Sequence, residues 1–388
     1  MWNRLRRRKR KCDVKTDRAY VEINISNLEH NVEVLKNEMH EGCELMAVVK
    51  ANAYGHGAYE ISTHLEKIGI QAFAVATIDE GISLRKYGIR GEILILGYTS
   101  IYRVSELKKY NLTQTLISLE YANALNKQGV TVNAHLKIDT GMHRLGIDCK
   151  DILKVKEVFN MKNINVCGIF THLCCADSLR HEDVLFTREQ INNFFSLIDD
   201  LKDSGITIPK LHIQSSYGLL NYPDIKCDYV RAGIALYGCL SSPNDNTLLK
   251  LDLRPVLSLK SKVVLIREIK KGDSIGYGRC FTAERDSLIA ILPIGYGDGY
   301  PRNLSCGNGR VIINNHYAPV IGRVCMDQLA VDIQFALGDL LQAGDHAESS
   351  GFAAARRPYQ HYKLLILNCK IEIVNCGYAA GIYLINMP

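Results

Sequence analysis

The sequence lacks any run of about 18 continuous apolar residues, the length a helix needs to cross a hydrocarbon layer, so it is expected to contain no spanning helix. It also lacks an apolar core behind its basic front, Arg4, Arg6, Arg7, Arg8, Lys9, Arg10 and Lys11, which excludes a signal peptide. No aromatic interleaving or recognition motif accompanies that run, so a nucleic-acid partner is set aside for a solvated leader over 1–17. A second reading makes the run the cytoplasmic flank of a membrane segment lying upstream. The net charge of +6 is concentrated there, and the remainder is close to neutral. The 13 cysteines have no repeating spacing. Adjacent Cys174 and Cys175 near His172 lack the loop spacing of zinc sites, so no metal is expected. Reduced, buried thiols in a cytoplasmic protein fit this usage.

What is present is a chain of 388 residues, 47% hydrophobic and 23% charged, long enough for two cores. After the leader, AYVEINI (19–25) alternates like a half-buried strand, and Ser26 with Glu29 forms a capping box opening a helix to about His40. Eight short apolar runs follow: 44–50, 72–76, 92–97, 113–117, 132–138, 166–172, 210–214 and 234–238. Helical patterns separate most of them. Ile61, Leu65 and Ile68 recur at helix spacing, Thr77 and Glu80 make a second capping box, and Phe194, Leu197, Ile198 and Leu201 share a face. Strands apolar throughout, alternating with helices, describe a covered parallel sheet, and eight such units favour a TIM barrel, (β/α)8, over 18–245. From about residue 246 to 333, β-branched segments with short turns predict a mostly antiparallel β domain. The 19–25 strand could pair with it. Pro243, Asn244, Asp245 and Asn246 mark the linker.

In such a barrel the working residues sit where strands end. Lys50 closes the first apolar run, MAVV, where partial desolvation would lower its pKa and make its amine nucleophilic. LKIDTGMHRLG brings Lys137, Asp139 and Arg144 to the same mouth, and His172 follows another strand. QSSYG and DYVRAGIALYG supply Ser215, Ser216, Arg231, Gly233 and Ile234 around the last two strands, where barrels of this type bind phosphate. A nucleophilic lysine, a phosphate cradle and cations fit a pyridoxal 5'-phosphate (PLP) site; sugar-phosphate enzymes of this fold place similar groups.

VVKANAYGHG at 48–57 resembles the PLP-attachment signature of alanine racemases. LKIDTGMHRLG, THLCCAD, DYVRAGIALYG, SIGYGRCFTA, PIGYGDGYPR and PVIGRVCMDQ resemble that family's landmarks in order, over roughly residues 18 to 332. The resemblance implies a homodimer with shared active sites, in which Lys50 carries PLP and Tyr54, Ser216, Gly233 and Ile234 hold its phosphate. It implies that Arg231 meets the pyridine nitrogen with His172 in support, which makes the ring a weaker electron sink than an acidic partner would. Tyr277, from the partner subunit, is the second base opposed to Lys50. A free tyrosine is a poor base at neutral pH, so a cation, Arg144, is expected to lower its pKa. Arg144 and the backbone of Met326 match contacts near the cofactor oxygen and the substrate carboxylate, and Lys137 matches a lysine carbamylated in some members. Tyr296, in the similar GYGDGYP, is read as supporting structure.

Two departures qualify the likeness. QSS at 214–216, His143 and the basic leader resemble the racemase half of the membrane-bound serine and alanine racemases of glycopeptide resistance, which makes D-serine a candidate product beside D-alanine. After about Asp332 the family's closing segment has no counterpart, and the 334–388 tail reads as unrelated, with Tyr359, Tyr362, Tyr378 and Tyr383 unassigned. The expected function is a two-base alanine or serine racemase supplying D-amino acids for peptidoglycan precursors. The alternative is a weakly active or non-catalytic PLP-binding protein, although single-barrel proteins of that class lack the β domain. A PLP decarboxylase of the same plan is disfavoured by Arg231, because those enzymes use an acidic partner there.

Overall fold

The structure, a computed structural model, describes residues 18–334 apart from Pro243; the expected leader and the tail beyond residue 334 lie outside the described residues. These residues form two compact units, Ile23–Leu257 and, separately, residues 18–22 with 258–334.

In the first unit eight parallel strands run in the order β10 (Tyr229–Ala232), β2 (Glu44–Val48), β3 (Ala72–Val75), β4 (Glu92–Ile95), β5 (Thr113–Leu116), β6 (Val132–Asp139), β8 (Ile164–Phe170) and β9 (Lys210–His212). The short β7 (Ile147–Asp148) pairs beside β6. Hydrogen bonds from Asp228 N to Leu211 O (2.8 Å) and from Arg231 N to Gln214 O (3.1 Å) join the last strand to the first, closing the barrel. This is the (β/α)8 architecture expected. Because side chains alternate along a strand, Leu45, Ala47, Phe73, Val75, Ile93 and Ile95 face the helices in the main core. Met46, Val48, Ala72, Ala74, Leu94 and Tyr229 form a separate apolar cluster from the alternate positions. The alternate positions of β6, β9 and β10 are instead polar, with His135, Lys137, His212 and Arg231 all buried.

Three local expectations need correction. The eighth strand is Tyr229–Ala232, not 234–238; Ile234–Tyr237 is a 3-10 turn closed by Gly238 in the left-handed region. The first helix, Ile25–Asn37, begins before Ser26, with the Asn24 side chain accepting from Asn27 N at 3.0 Å. Asn24 caps as well as a serine could, and Glu29 is engaged with His64 at 2.8 Å. Cys280 and Cys306 are joined as a disulfide, so the thiols are not uniformly reduced; of the free cysteines among the described residues only Cys227 is buried. The chain around the expected linker stays tied to the barrel unit: Asp245 accepts from Tyr217 Oη and from Ser242 N, and further on Leu249 N donates to Leu220 O and Val256 N to Tyr237 O.

The second unit carries a five-stranded antiparallel sheet in the order β12 (Leu265–Ile269), β15 (Ser287–Leu292), β18 (Leu329–Asp332), β17 (His316–Ile321), β16 (Arg310–Ile313). A hairpin, β13 (Ser274–Ile275) with β14 (Phe281–Thr282), stands beside it in sequence, and β1 (Ala19–Ile23) pairs with β11 (Leu257–Ser261). Ile269, Ala283, Ile289, Ile321 and Ala330 make a core cluster of this unit. Among the described residues no helix is long and apolar enough to cross a membrane.

The capping box at the helix Ile78–Tyr87 forms as expected, with Thr77 Oγ1 accepting from Glu80 N and Glu80 Oε2 accepting from Thr77 N and Ala76 N. Thr77→Ala should therefore lower stability by about 1 kcal/mol. A urea midpoint equal to that of the unsubstituted chain would contradict this.

Candidate active site

Lys50 follows β2 directly, and the chain then turns the unusual way: Ala51, Asn52, Ala53 and Tyr54 all have φ between 51° and 54°. Left-handed backbone costs a non-glycine residue roughly 1–2 kcal/mol, so neighbours must impose it. Ala51 N donates to Glu80 Oε1 at 2.7 Å, Ala53 N to Val49 O at 2.9 Å, and Ala58 N to Asn52 Oδ1 at 2.8 Å. Glu80 thus binds the turn with one oxygen and its own helix start with the other. Burial, then the charge on Arg144, lowers the pKa of Lys50 from its ordinary value, with Glu80 opposing them. An amine so placed is available as a nucleophile and a proton acceptor.

Lys50 belongs to a group of cations, Lys137, Arg144 and Arg231 among them, whose charges all act on His172. Lys137 lies inside β6 rather than at its end, buried, with Nζ donating to Ile138 O at 2.8 Å. Burial, the Arg231 charge and, more weakly, Arg144 bring its pKa down to about 7 against the pull of Asp139. Arg231 is 4% exposed and crosses the barrel: one terminal nitrogen donates to His212 Nδ1 (2.7 Å) and His212 O, the other to Thr171 O, Ile213 O and His172 Nδ1 (3.2 Å). Because Arg231 can only donate, His172 must present an unprotonated Nδ1. Burial and the charges of Arg231, Lys137, Arg144 and Lys50 accordingly push its pKa down to about 3. Asp139 is occupied, one oxygen accepting from Gly141 N and His143 N. A site with this excess of positive charge is built for an anion.

Tyr54, Ser216 and Gly233, with Ile234 next in the chain, form a second grouping, and Lys50 Nζ lies 6.0 Å from the Tyr54 ring centre. Ser216 Oγ accepts from Gly233 N (3.0 Å) and Ala235 N (3.2 Å), which leaves its own proton to donate. A Cβ on Gly233 would stand 2.9 Å from Tyr54 Oη, so only glycine leaves room there. Burial pushes the Tyr54 phenol up to about 12, keeping it a donor.

In the second unit Tyr277 opens a tight turn between Gly276 (φ 68°) and Gly278 (φ 71°), and its side chain is 68% exposed. The Arg323 guanidinium lies against Gly278, within 3.1 Å of where a Cβ would be. Nothing in the sequence patterns had singled out Arg323. Met326, also exposed, accepts at its carbonyl from Gly297 N at 2.7 Å, while Tyr296 N donates to Cys325 O. Tyr296 is thereby held as part of the loop that supports Met326. Cys174 meets Cys175 and Gln190, and neither cysteine joins a metal-type grouping with His172 among the described residues. Sequence reasoning missed the buried His135 and His212 beneath Arg231. Their signal was the polar residue at every second position of VNAHLKI and KLH.

A family model for the alanine racemase N-terminal domain matches residues 23–241, and one for the C-terminal domain matches 256–362. The chain belongs to the alanine racemase family. It is 59% identical over 329 residues to an amino-acid racemase of Enterococcus faecalis and 42% identical over 316 residues to a serine/alanine racemase of Enterococcus gallinarum. These matches take in 85% and 81% of this chain but 46% and 45% of the relatives, so the chain spans less than half the length of those curated proteins. The solved alanine racemase of Clostridium difficile 630 superposes with a TM-score of 0.74 at 37% identity, over 81% of this chain and 82% of that one.

The family's cofactor is PLP, and the residues present fit it. Ser216, the Gly233 opening and Tyr54 suit a phosphate, and Lys50 suits an aldehyde. Among the described residues Arg231 uses both terminal nitrogens on protein acceptors and leaves its Nε–H free for an acceptor such as a ring nitrogen. The depressed pKa of Lys137 has a stability consequence. Between about pH 7 and the ordinary lysine value near 10, the unfolded chain holds a proton that the folded chain has released. This group therefore adds stability as pH rises through that window and adds no pH dependence below it. Lys137→Met should remove that component, read as the difference between the two chains' urea midpoints from pH 7 to 10; parallel curves would show that Lys137 keeps its proton.

Proposed function

We propose that this chain is the catalytic part of a PLP-dependent racemase that interconverts the L and D forms of alanine, serine or both. The observation that carries this reading is the Lys50 amine, its pKa lowered by burial and by Arg144, near the Tyr54, Ser216 and Gly233 grouping and a set of cations suited to a carboxylate. Lys50 carries the cofactor; Tyr54, Ser216, Gly233 and Ile234 hold its phosphate; Arg231, backed by His172, donates to its ring nitrogen. Bound in this way, PLP acidifies the Cα–H of an amino acid attached to it. Racemisation then needs one proton carrier on each face of Cα. Lys50 Nζ serves one face and Tyr277 Oη of the partner subunit the other, so the active form is a homodimer with shared sites. Arg144 and the Met326 backbone receive the substrate carboxylate.

Lys137 has a further role in this reading. An amine with a pKa near 7 is substantially uncharged at neutral pH, the form that can take up carbon dioxide as a carbamate, and the resulting anion would orient Arg144. The likeness to a serine/alanine racemase motivates testing serine beside alanine, and D-amino acids for peptidoglycan precursors are the proposed end use. Methyl and hydroxymethyl side chains differ by only about 1–3 kcal/mol in a pocket not built to hydrogen-bond the hydroxyl, so both can turn over.

The test is chiral chromatography of L-alanine and L-serine incubated with the PLP-loaded chain. Turnover of either is expected, with Lys50→Ala losing both the visible cofactor absorbance and activity. Tyr277→Phe should keep the absorbance and lose on the order of 100-fold or more in rate. Absorbance without turnover in the unsubstituted chain would replace the racemase with a PLP-binding protein.

A further inference from the structure

Arg231 has no carboxylate partner among the described residues: its hydrogen bonds go to three carbonyls and two imidazoles. A buried guanidinium without a counter-charge is costly. Its route to an anion runs down the barrel. Arg231 donates to His212 Nδ1 at 2.7 Å, His212 Nε2 is 2.8 Å from His135 Nδ1, and His135 Nε2 is 3.0 Å from Glu92 Oε1. Both of those last two atoms are buried, stand at ion-pair distance without a well-directed hydrogen bond between them, and have no other hydrogen-bond partner among the described residues.

The direction of this chain follows from its first member. Arginine only donates, so His212 Nδ1 must accept, and a neutral His212 carries its proton on Nε2. That proton is donated to His135 Nδ1, which leaves His135 protonated at Nε2 and facing the carboxylate. One fixed donor thus sets both tautomers: the two hydrogen bonds run from Arg231 to His135, whose Nε2–H is left 3.0 Å from the Glu92 carboxylate. The path is built into the packing. His135 and His212 are 1% and 0% exposed, the Phe170 ring stacks on His212 at 4.5 Å, and a Cβ on Gly168 would lie 2.6 Å from the His135 ring. Beyond Glu92 the other oxygen accepts from Tyr229 Oη (2.8 Å), which itself accepts from Lys210 Nζ (2.6 Å), and Lys210 meets Glu44. These four residues stand at the beginnings of β4, β10, β9 and β2, the end of the barrel opposite Lys50.

We propose that Glu92 is a positioning residue for Arg231, acting through His135 and His212 to orient and strengthen the guanidinium as a donor to the cofactor's ring nitrogen. This rests on the assignment of Arg231 in the preceding subsection; the tautomer assignment does not. A competing use is weaker. Glu92, His135 and Cys167 could together face a cation, their ligand atoms lying within 4.8 Å of one another, but the Cys167 thiol donates to Ala134 O and burial, with the Glu92 charge, pushes its pKa up to about 11. Burial works to raise the Glu92 pKa as well, yet the His135 N–H beside it, the Tyr229 hydrogen bond and the Lys210 charge hold it below the ordinary value, so the chain ends on a carboxylate.

The experiment uses Glu92→Gln, which keeps the shape and an acceptor but removes the charge, and Tyr229→Phe, which leaves the carboxylate more available to His135. Nitrogen-15 spectra of histidine-labelled, cofactor-free protein should show both buried imidazoles protonated at Nε2. The His212 signal, two links from Glu92, should move in Glu92→Gln and move the opposite way in Tyr229→Phe. Affinity for PLP, titrated by absorbance, should fall on the order of tenfold in Glu92→Gln, as outer partners of a bound group commonly show. A His212 signal that ignores both substitutions, or unchanged PLP affinity in Glu92→Gln, would overturn the proposal. Failure of the unsubstituted chain to bind PLP would instead sink the cofactor reading, and the spectra alone would then judge the tautomers.

Discussion

The first unit is organised around one buried charge. A guanidinium that is 4% exposed inside a barrel must have its donors satisfied by groups that the strands themselves hold still, and Arg231 does this with the carbonyls of Thr171, His212 and Ile213. Those carbonyls lie at or just past the ends of β8 and β9, so the cation ties two strands together where the barrel closes. Burial first, and its charge second, set its neighbours' protonation: His172 and His212 are kept neutral, and Lys137 is left with a labile proton. Removing Arg231 would take away a shared contribution to the protonation of three side chains at once.

The interior is divided as a result. Most barrels of this kind fill their centre with layers of branched apolar side chains, and β2, β3 and β4 contribute Met46, Val48, Ala72, Ala74 and Leu94 in that manner. Across from them β6, β9 and β10 supply His135, Lys137, His212 and Arg231. A polar half-core is tolerated only where each donor has an acceptor. The small residues opposite, and Gly168 beside His135, provide the room that imidazole rings need.

Much of this was readable before any coordinates. Seven of the eight strands lie where apolar runs place them, because each run is bounded by turn residues or a helix signal. The eighth was misplaced because DYVRAGIALYG is apolar across both the strand and the 3-10 turn, so only the hydrogen bonds decide which part extends. Lys50, Arg144 and the serine-glycine cradle were found through motif and strand-end position. The histidine chain and Glu92 were not, because a single polar residue in an apolar strand is ordinary, and its meaning depends on strands far apart in sequence becoming neighbours. Arg323 escaped for the same reason: its contact with the turn of Tyr277 is made only by folding.

The left-handed turn after Lys50 bears on when the lysine becomes reactive. An isolated peptide of this sequence would relax to ordinary backbone, since of residues 51–54 only Asn52 tolerates the left-handed region readily and four in succession need outside support. The shape exists only after the helix that begins at Ile78 has arrived to offer Glu80, and the environment that lowers the amine's pKa exists only after the loop carrying Arg144 is in place. Nascent or half-assembled chains therefore carry an ordinary ammonium at position 50, slower towards aldehydes than the folded lysine, and the rate of cofactor capture becomes a chemical marker of barrel completion.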